Sequence, residues 1–136
     1  MQLNPDIDDS TVEHTLVNNM NHLVDNFRQA TPDSVIALLL PPLYNQSERA
    51  FNVNYDGKFP RWRQLQNRAR FIELMVELAN IQKDIKLIPT NFFVDPIEGY
   101  PPDNALHFNP RGAQQIAASV FSWLKGDVLG NPTLIK

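Results

Sequence analysis

Residues 35–40 read Val-Ile-Ala-Leu-Leu-Leu, an apolar run with no polar interruption. A strand with one wet face alternates apolar and polar side chains. An unbroken run instead predicts a strand buried on both faces, the habit of parallel strands covered by helices. Pro41 and Pro42 end it, because proline has no N–H to give to a ladder. A second short run, Ile-Lys-Leu-Ile at 85–88, stops at Pro89. Helical patterns precede, separate and follow the two runs. The order helix, strand, helix, strand, helix is the rhythm of an α/β fold with a parallel sheet.

Ser10, Thr11, Val12 and Glu13 form a capping box, and a helix is expected from there to about Gln29. Val12, Leu16, Met20, Leu23 and Phe27 mark its apolar stripe. His14 and His22 lie off that stripe and read as surface residues. A second helix is expected from Pro60 to about Gln82, with Trp62, Leu65, Ala69, Ile72, Val76 and Ala79 as its buried face. Lys58, Arg61, Arg63, Arg68 and Arg70 crowd its first half, where cations oppose the helix dipole, so acids elsewhere or a partner are expected to pair with them. Residues 43–59 between strand and helix read as one long polar and aromatic loop. It is either functional or a flexible insertion.

Two parallel strands do not make a stable sheet alone. The run at 35–40 wants neighbours on both sides, so the chain resembles the second half of a doubly wound domain. Three arrangements satisfy this. The chain takes strands from another chain, adds short strands not legible in its sequence, or is a fragment of a larger domain.

The 136 residues fit one domain. One partial domain is expected over 1–126, with 127–136 as a tail. The net charge of −3 argues against a nucleic-acid partner, even where Arg residues interleave with Phe59 and Trp62. There is no Cys, hence no disulfide framework and no thiolate metal site. Asp6, Asp8 and Asp9 lack the Gly and distal Glu of a calcium loop, and no metal or cofactor is expected. The acidic N-terminus lacks a signal-peptide core, and no run is long enough to cross a membrane, so localisation is left open.

The chemistry gathers near the end, at Asp103-Asn104-Ala105-Leu106-His107-Phe108-Asn109-Pro110-Arg111-Gly112. Asn109 is a good N-cap and Pro110 suits the first helical position. The helix that follows is expected to bury Ala113, Ile116, Ala117, Val120 and Leu124 and to stop at Gly126. His107 would then stand just outside a helix N-terminus, with Asp103 and Asn104 close behind it. An acid or amide that orients an imidazole, and an imidazole that takes a proton from a nucleophile, are the back half of a triad. The nucleophile is harder to find. Ser10, Ser34, Ser47, Ser119 and Ser122 are the only serines, and none sits in a Gly-x-Ser-x-Gly or Gly-Asp-Ser context.

These blocks resemble the C-terminal part of the SGNH (GDSL) ester hydrolases. The run at 35–40 with Pro41 and Pro42 looks like their fourth core strand. Phe59-Pro-Arg-Trp-Arg63, the helix after it and Ile85-Lys-Leu-Ile-Pro89 are similar to the next helix and strand. Residues 103–112, with Gln115, Ile116, Ala117, Trp123 and Leu124, resemble the final block, where Asp-x-x-His followed by Asn-x-x-Gly supplies the acid and base. The resemblance implies a flavodoxin-like three-layer α/β/α fold, of which this chain carries the C-terminal half of the parallel sheet. It implies hydrolysis of an ester, often an acetyl group on a carbohydrate, with His107 as general base. The acid position three before His107 holds Asn104, while Asp103 lies one residue further back, so either is a candidate orienter. No residue matches the family's Gly-Asp-Ser or Gly-x-Asn-Asp blocks. The nucleophile and oxyanion hole are therefore expected on another segment or chain, or in an oligomer. The alternative expectation is a non-catalytic module derived from the same fold, in a virion or multi-subunit assembly.

Overall fold

A computed structural model describes residues 17–58, 60–82 and 85–130. The capping box at Ser10, His14, the Asp6 to Asp9 cluster and the end of the expected tail lie outside the described residues. The chain is mixed α/β. Helix α1 (Asn18–Ala30) leads to strand β1 (Ile36–Leu39), helix α2 (Glu48–Tyr55), helix α3 (Arg61–Ile81), strand β2 (Ile85–Ile88) and helix α4 (Pro110–Trp123). A 3-10 turn (Thr90–Phe92) follows β2, and a π-helical turn (Leu124–Val128) prolongs α4. β1 and β2 pair in parallel as a two-stranded sheet. The chain divides into two compact units, one of residues 1–38 and 62–87, the other of 39–61 and 88–136.

In the first unit, Val24 of α1, Leu78 of α3 and Ile85 of β2 form a buried cluster, with Met20, Ile36, Leu38 and Ala79 packed against it. Full burial of each such aliphatic side chain contributes about 1.5–3 kcal/mol. A polar clasp closes the end of the helix pair. Arg28 Nη1 donates to Gln82 Oε1 at 2.8 Å, and Gln82 Nε2 donates to Asn21 Oδ1 at 2.7 Å. His22 is exposed, but the expected stripe is not the buried face of α1, since Val24 is buried while Leu23 and Phe27 are 48 % and 54 % exposed.

The faces of α3 and β1 also differ from the sequence expectation. α3 buries Gln64, Asn67, Arg68, Leu74, Met75 and Leu78, and leaves Trp62, Leu65, Ala69 and Val76 exposed. The helix carries two apolar stripes. The bulkier one, Leu74, Met75 and Leu78 with half-buried Phe71, faces inward. Its N-terminal continuation happens to be polar, so polar residues are buried there. The run at 35–40 is likewise not buried on both faces. Ile36, Ala37 and Leu38 are half-buried, and Leu39 is 44 % exposed. With only two strands described, each has one open edge and incomplete cover.

In the second unit, the expected loop at 43–59 contains α2. Ser47 caps it, its Oγ accepting from Ala50 N–H at 3.2 Å, and Glu48 in the first turn suits the dipole. Asp56 and Gly57 take left-handed backbone (φ 52° and 65°) and end it. Phe51 stacks at 4.6 Å on Tyr55, and Ala50 and Phe51 pack on Ala105, which is fully buried. α2 is thus the floor under the loop that carries His107. α4 begins as expected, with Asn109 as cap and Pro110 first, but it buries Gly112 and Ser119 and exposes Ala113, Ala117 and Leu124. Gly126 does not stop it, because the π-helical turn carries the chain through that residue.

Candidate functional site

The loops that follow β1 and β2 meet at the C-terminal ends of the strands. Leu40 N–H donates to Ile88 O at 2.9 Å, and the Thr90 hydroxyl donates to Leu40 O. Tyr100 OH donates to Leu43 O, and Gln46 N–H donates to Pro96 O at 2.8 Å. This end of a parallel sheet is where open α/β folds place their ligands.

Four asparagines then fix the segment 98–107. Asn45 is 2 % exposed. Its Nδ2 donates to Pro101 O (3.0 Å) and Asn104 O (3.1 Å), and its Oδ1 accepts from Ser47 N–H (2.9 Å). Asn54 Oδ1 accepts from Ala105 N–H at 2.6 Å. Asn104 Oδ1 accepts from the main-chain N–H groups of Leu106 (2.9 Å) and His107 (2.8 Å). Asn109 Oδ1 accepts from Gly112 N–H (3.0 Å), while its Nδ2 donates to Glu98 O (2.8 Å) and Tyr100 O (3.0 Å). Each amide satisfies backbone groups that a buried loop would otherwise leave unpaired.

His107 itself is exposed. The structure brings Asn104 to His107, but to its main chain and not to its ring. Asp103 is exposed, and among the described residues no side chain hydrogen-bonds to the His107 imidazole or to the Asp103 carboxylate. Phe108, next in sequence, lies 5.0 Å from the Tyr100 ring, which fixes the chain direction just after His107. Ser47 is occupied as a cap, Ser119 is buried in α4, and Ser34 and Ser122 are exposed in a turn and on a helix. None of the described serines is hydrogen-bonded to His107. No group of three His, Cys, Asp or Glu side chains among the described residues could hold a metal ion.

The sequence reading gave no role to Asn45, Asn54 and Asp95, and placed Gln115 only within the final block of the resemblance. A signal for Asn45 exists, since an Asn two residues ahead of a helix-capping Ser makes an Asx turn. Asp95 Oδ1 accepts from Ile97 N–H (2.8 Å) and Glu98 N–H (3.0 Å), and Asp95 N–H donates to Gln115 Oε1 (3.0 Å). The bonds from Glu98 and Ile97, with Arg111 nearby, hold the Asp95 carboxyl below its usual range. A folded-state pKa below the unfolded one contributes stability above the unfolded value and loses it as pH falls through the folded one. Asp95→Asn keeps an acceptor but cannot titrate. Urea denaturation of this variant is therefore expected to show a shallower loss of stability below about pH 4 than the wild type. Parallel pH profiles would contradict that role.

The chain matches no protein-family model, no curated protein and no solved structure. Among the described residues no helix is long and apolar enough to cross a membrane.

Proposed function

We propose that this chain is the base-bearing part of an ester hydrolase of the SGNH type, with His107 as general base and the nucleophile supplied from outside the chain. The observation that carries the reading is the placement of His107. It is exposed on a pinned turn, two residues before the Asn-capped α4, in the loop cluster at the ends of two parallel strands. In the complete domain the two strands belong to a three-layer α/β/α sheet.

The chemistry follows from that placement. A serine hydroxyl attacks the ester carbonyl and its proton passes to the imidazole. The tetrahedral intermediate collapses, the alcohol leaves, and His107 returns the proton to the alcohol oxygen. Water, deprotonated by the same imidazole, then attacks the acyl carbon, and the serine oxygen leaves, taking the proton back from His107 as the carboxylic acid is released. Asp103, whose carboxylate makes no bond to the ring in this structure, is the orienter this reading requires to turn toward His107, since the Asn104 oxygen already accepts two main-chain N–H groups. The substrate is a small carboxylic ester, with an acetylated carbohydrate as the leading class. A second reading, a non-catalytic module with the same ancestry, is favoured by the engagement of Asn104 with backbone alone.

Labelling with a fluorophosphonate, which phosphonylates activated serines with loss of fluoride, decides between them. The protein is isolated with whatever chains accompany it. The expected result is a labelled serine on an accompanying chain or segment together with turnover of an acetyl ester. Absence of both supports the non-catalytic module.

A further inference from the structure

Asn45, Gln46 and Ser47 spell the one Asn-x-Ser/Thr triplet of the chain whose middle residue is not proline. In an unfolded chain such a triplet is the acceptor for asparagine-linked glycosylation, a bulky modification that finished proteins carry on surface loops. The triplet alone is a weak signal. The placement of its asparagine carries the argument, because Asn45 is 2 % exposed.

No polar group of this amide is spare. Nδ2 donates to Pro101 O at 3.0 Å and to Asn104 O at 3.1 Å, and Oδ1 accepts from Ser47 N–H at 2.9 Å. A primary amide has two N–H groups, and both are used. The main-chain N–H of Asn45 donates to Ala105 O at 3.2 Å, so the 101–105 loop holds backbone and side chain alike. The Ser47 hydroxyl, the other half of the triplet, accepts from Ala50 N–H as the cap of α2. Glycosylation bonds Nδ2 to C1 of a sugar carried on a lipid diphosphate. The diphosphate leaves with the bonding electron pair, and the nitrogen gives up one proton. The product keeps a single N–H, so one of the two loop carbonyls loses its donor. The sugar ring must also occupy the space where those carbonyls now stand.

The geometry points to Asn45 as a glycan acceptor that folding withdraws: a chain carries the glycan or the native 101–107 loop, and not both. Only the unfolded chain is open to the modification. A chain modified before it folds lacks the bracing that joins the start of α2 to the loop bearing His107. This competition stands apart from the ester-hydrolase reading and survives its failure.

Cell-free translation of the full chain behind a cleavable signal peptide, with microsomes supplying the transferase and the lipid-linked donor, tests it. Glycan addition reads as an upward gel shift that endoglycosidase H removes. Phe51→Asp sets a charge in the buried cluster of Ala50, Phe51 and Ala105 and serves as the unfolded control, expected to be glycosylated in full. Ser47→Ala removes the acceptor triplet and is expected to show no shift. Wild-type chain that acquires the glycan is expected to be digested by trypsin at least about tenfold faster than wild type made without microsomes, since proteolysis follows the population of open chain. A wild type that stays bare while Phe51→Asp is modified supports the proposal as well, because folding has then outrun the transfer. A glycosylated wild type as resistant to trypsin as the bare chain overturns it. So does a Phe51→Asp chain that acquires no glycan.

Discussion

Replacing Gly112 by alanine lowers the unfolding free energy by about 3 kcal/mol, at the upper end of what overpacking usually costs. Gly112 sits in the first turn of α4, where its N–H is held by the Asn109 cap. A Cβ built there would run into the carbonyl of Gly99, a backbone atom that cannot swing aside. Gly99 is equally confined, its own Cβ position lying 2.6 Å from Asp95 O. The loop cannot retreat freely, because Asn109 N–H donates to Gly99 O, and Asn109 Nδ2 also holds the carbonyls on either side of Gly99. Alanine is the better helix former by roughly 1 kcal/mol, so the steric penalty must overcome that gain before any loss is seen. Gly126 provides the control. Nothing lies within 4 Å of a Cβ there, so Gly126→Ala is expected to be neutral or mildly stabilising. Urea denaturation of the three proteins reads both effects. A Gly112→Ala protein as stable as wild type would mean that α4 and the 95–100 loop do not approach this closely.

The same junction shows what could be read from sequence and what could not. The start of α4 was legible because Asn109 and Pro110 are local signals that need no tertiary partner. β2 fell at the expected residues because Pro89 cuts it off and its run is short. β1 was placed within a residue at each end, but its burial was not, since burial depends on neighbours the run does not encode. α2 was hidden because Asn52, Asn54 and Tyr55 look like loop residues. Only the cap at Ser47 and the buried pair Ala50 and Phe51 betray a helix. On α3 two apolar stripes compete, and sequence length favoured the longer one where packing chose the bulkier. The loop around His107 was visible as a cluster of polar residues, but its bracing was not. Asn45 and Asn54 act on residues more than fifty positions away, and no local pattern announces such a bond.

In an assembly that contains the nucleophile, His107→Ala lowers kcat/KM for ester hydrolysis by about 10⁴-fold, or about 5.5 kcal/mol of transition-state stabilisation. The expected loss is large because a serine hydroxyl is a weak nucleophile without a base, and in the proposed mechanism the same ring also protonates the leaving alcohol. It is not a folding effect. The His107 ring is exposed and unpaired among the described residues, while the turn beneath it is held through main-chain N–H groups that alanine retains. Stability should therefore stay within about 0.5 kcal/mol of wild type, as for other surface substitutions. That contrast separates chemistry from structure. Asp103 and Asn104 separate further. Asp103→Asn removes a carboxylate whose proposed role is to orient the ring, and should cut kcat by about a hundredfold or more with KM little changed. Asn104→Ala removes the acceptor for two N–H groups, so it should lower stability as well as activity. Initial rates with an acetyl ester, measured beside urea denaturation, give both readings for each variant. Full activity in His107→Ala would take the imidazole out of the mechanism and leave the pinned loop as a binding or structural surface.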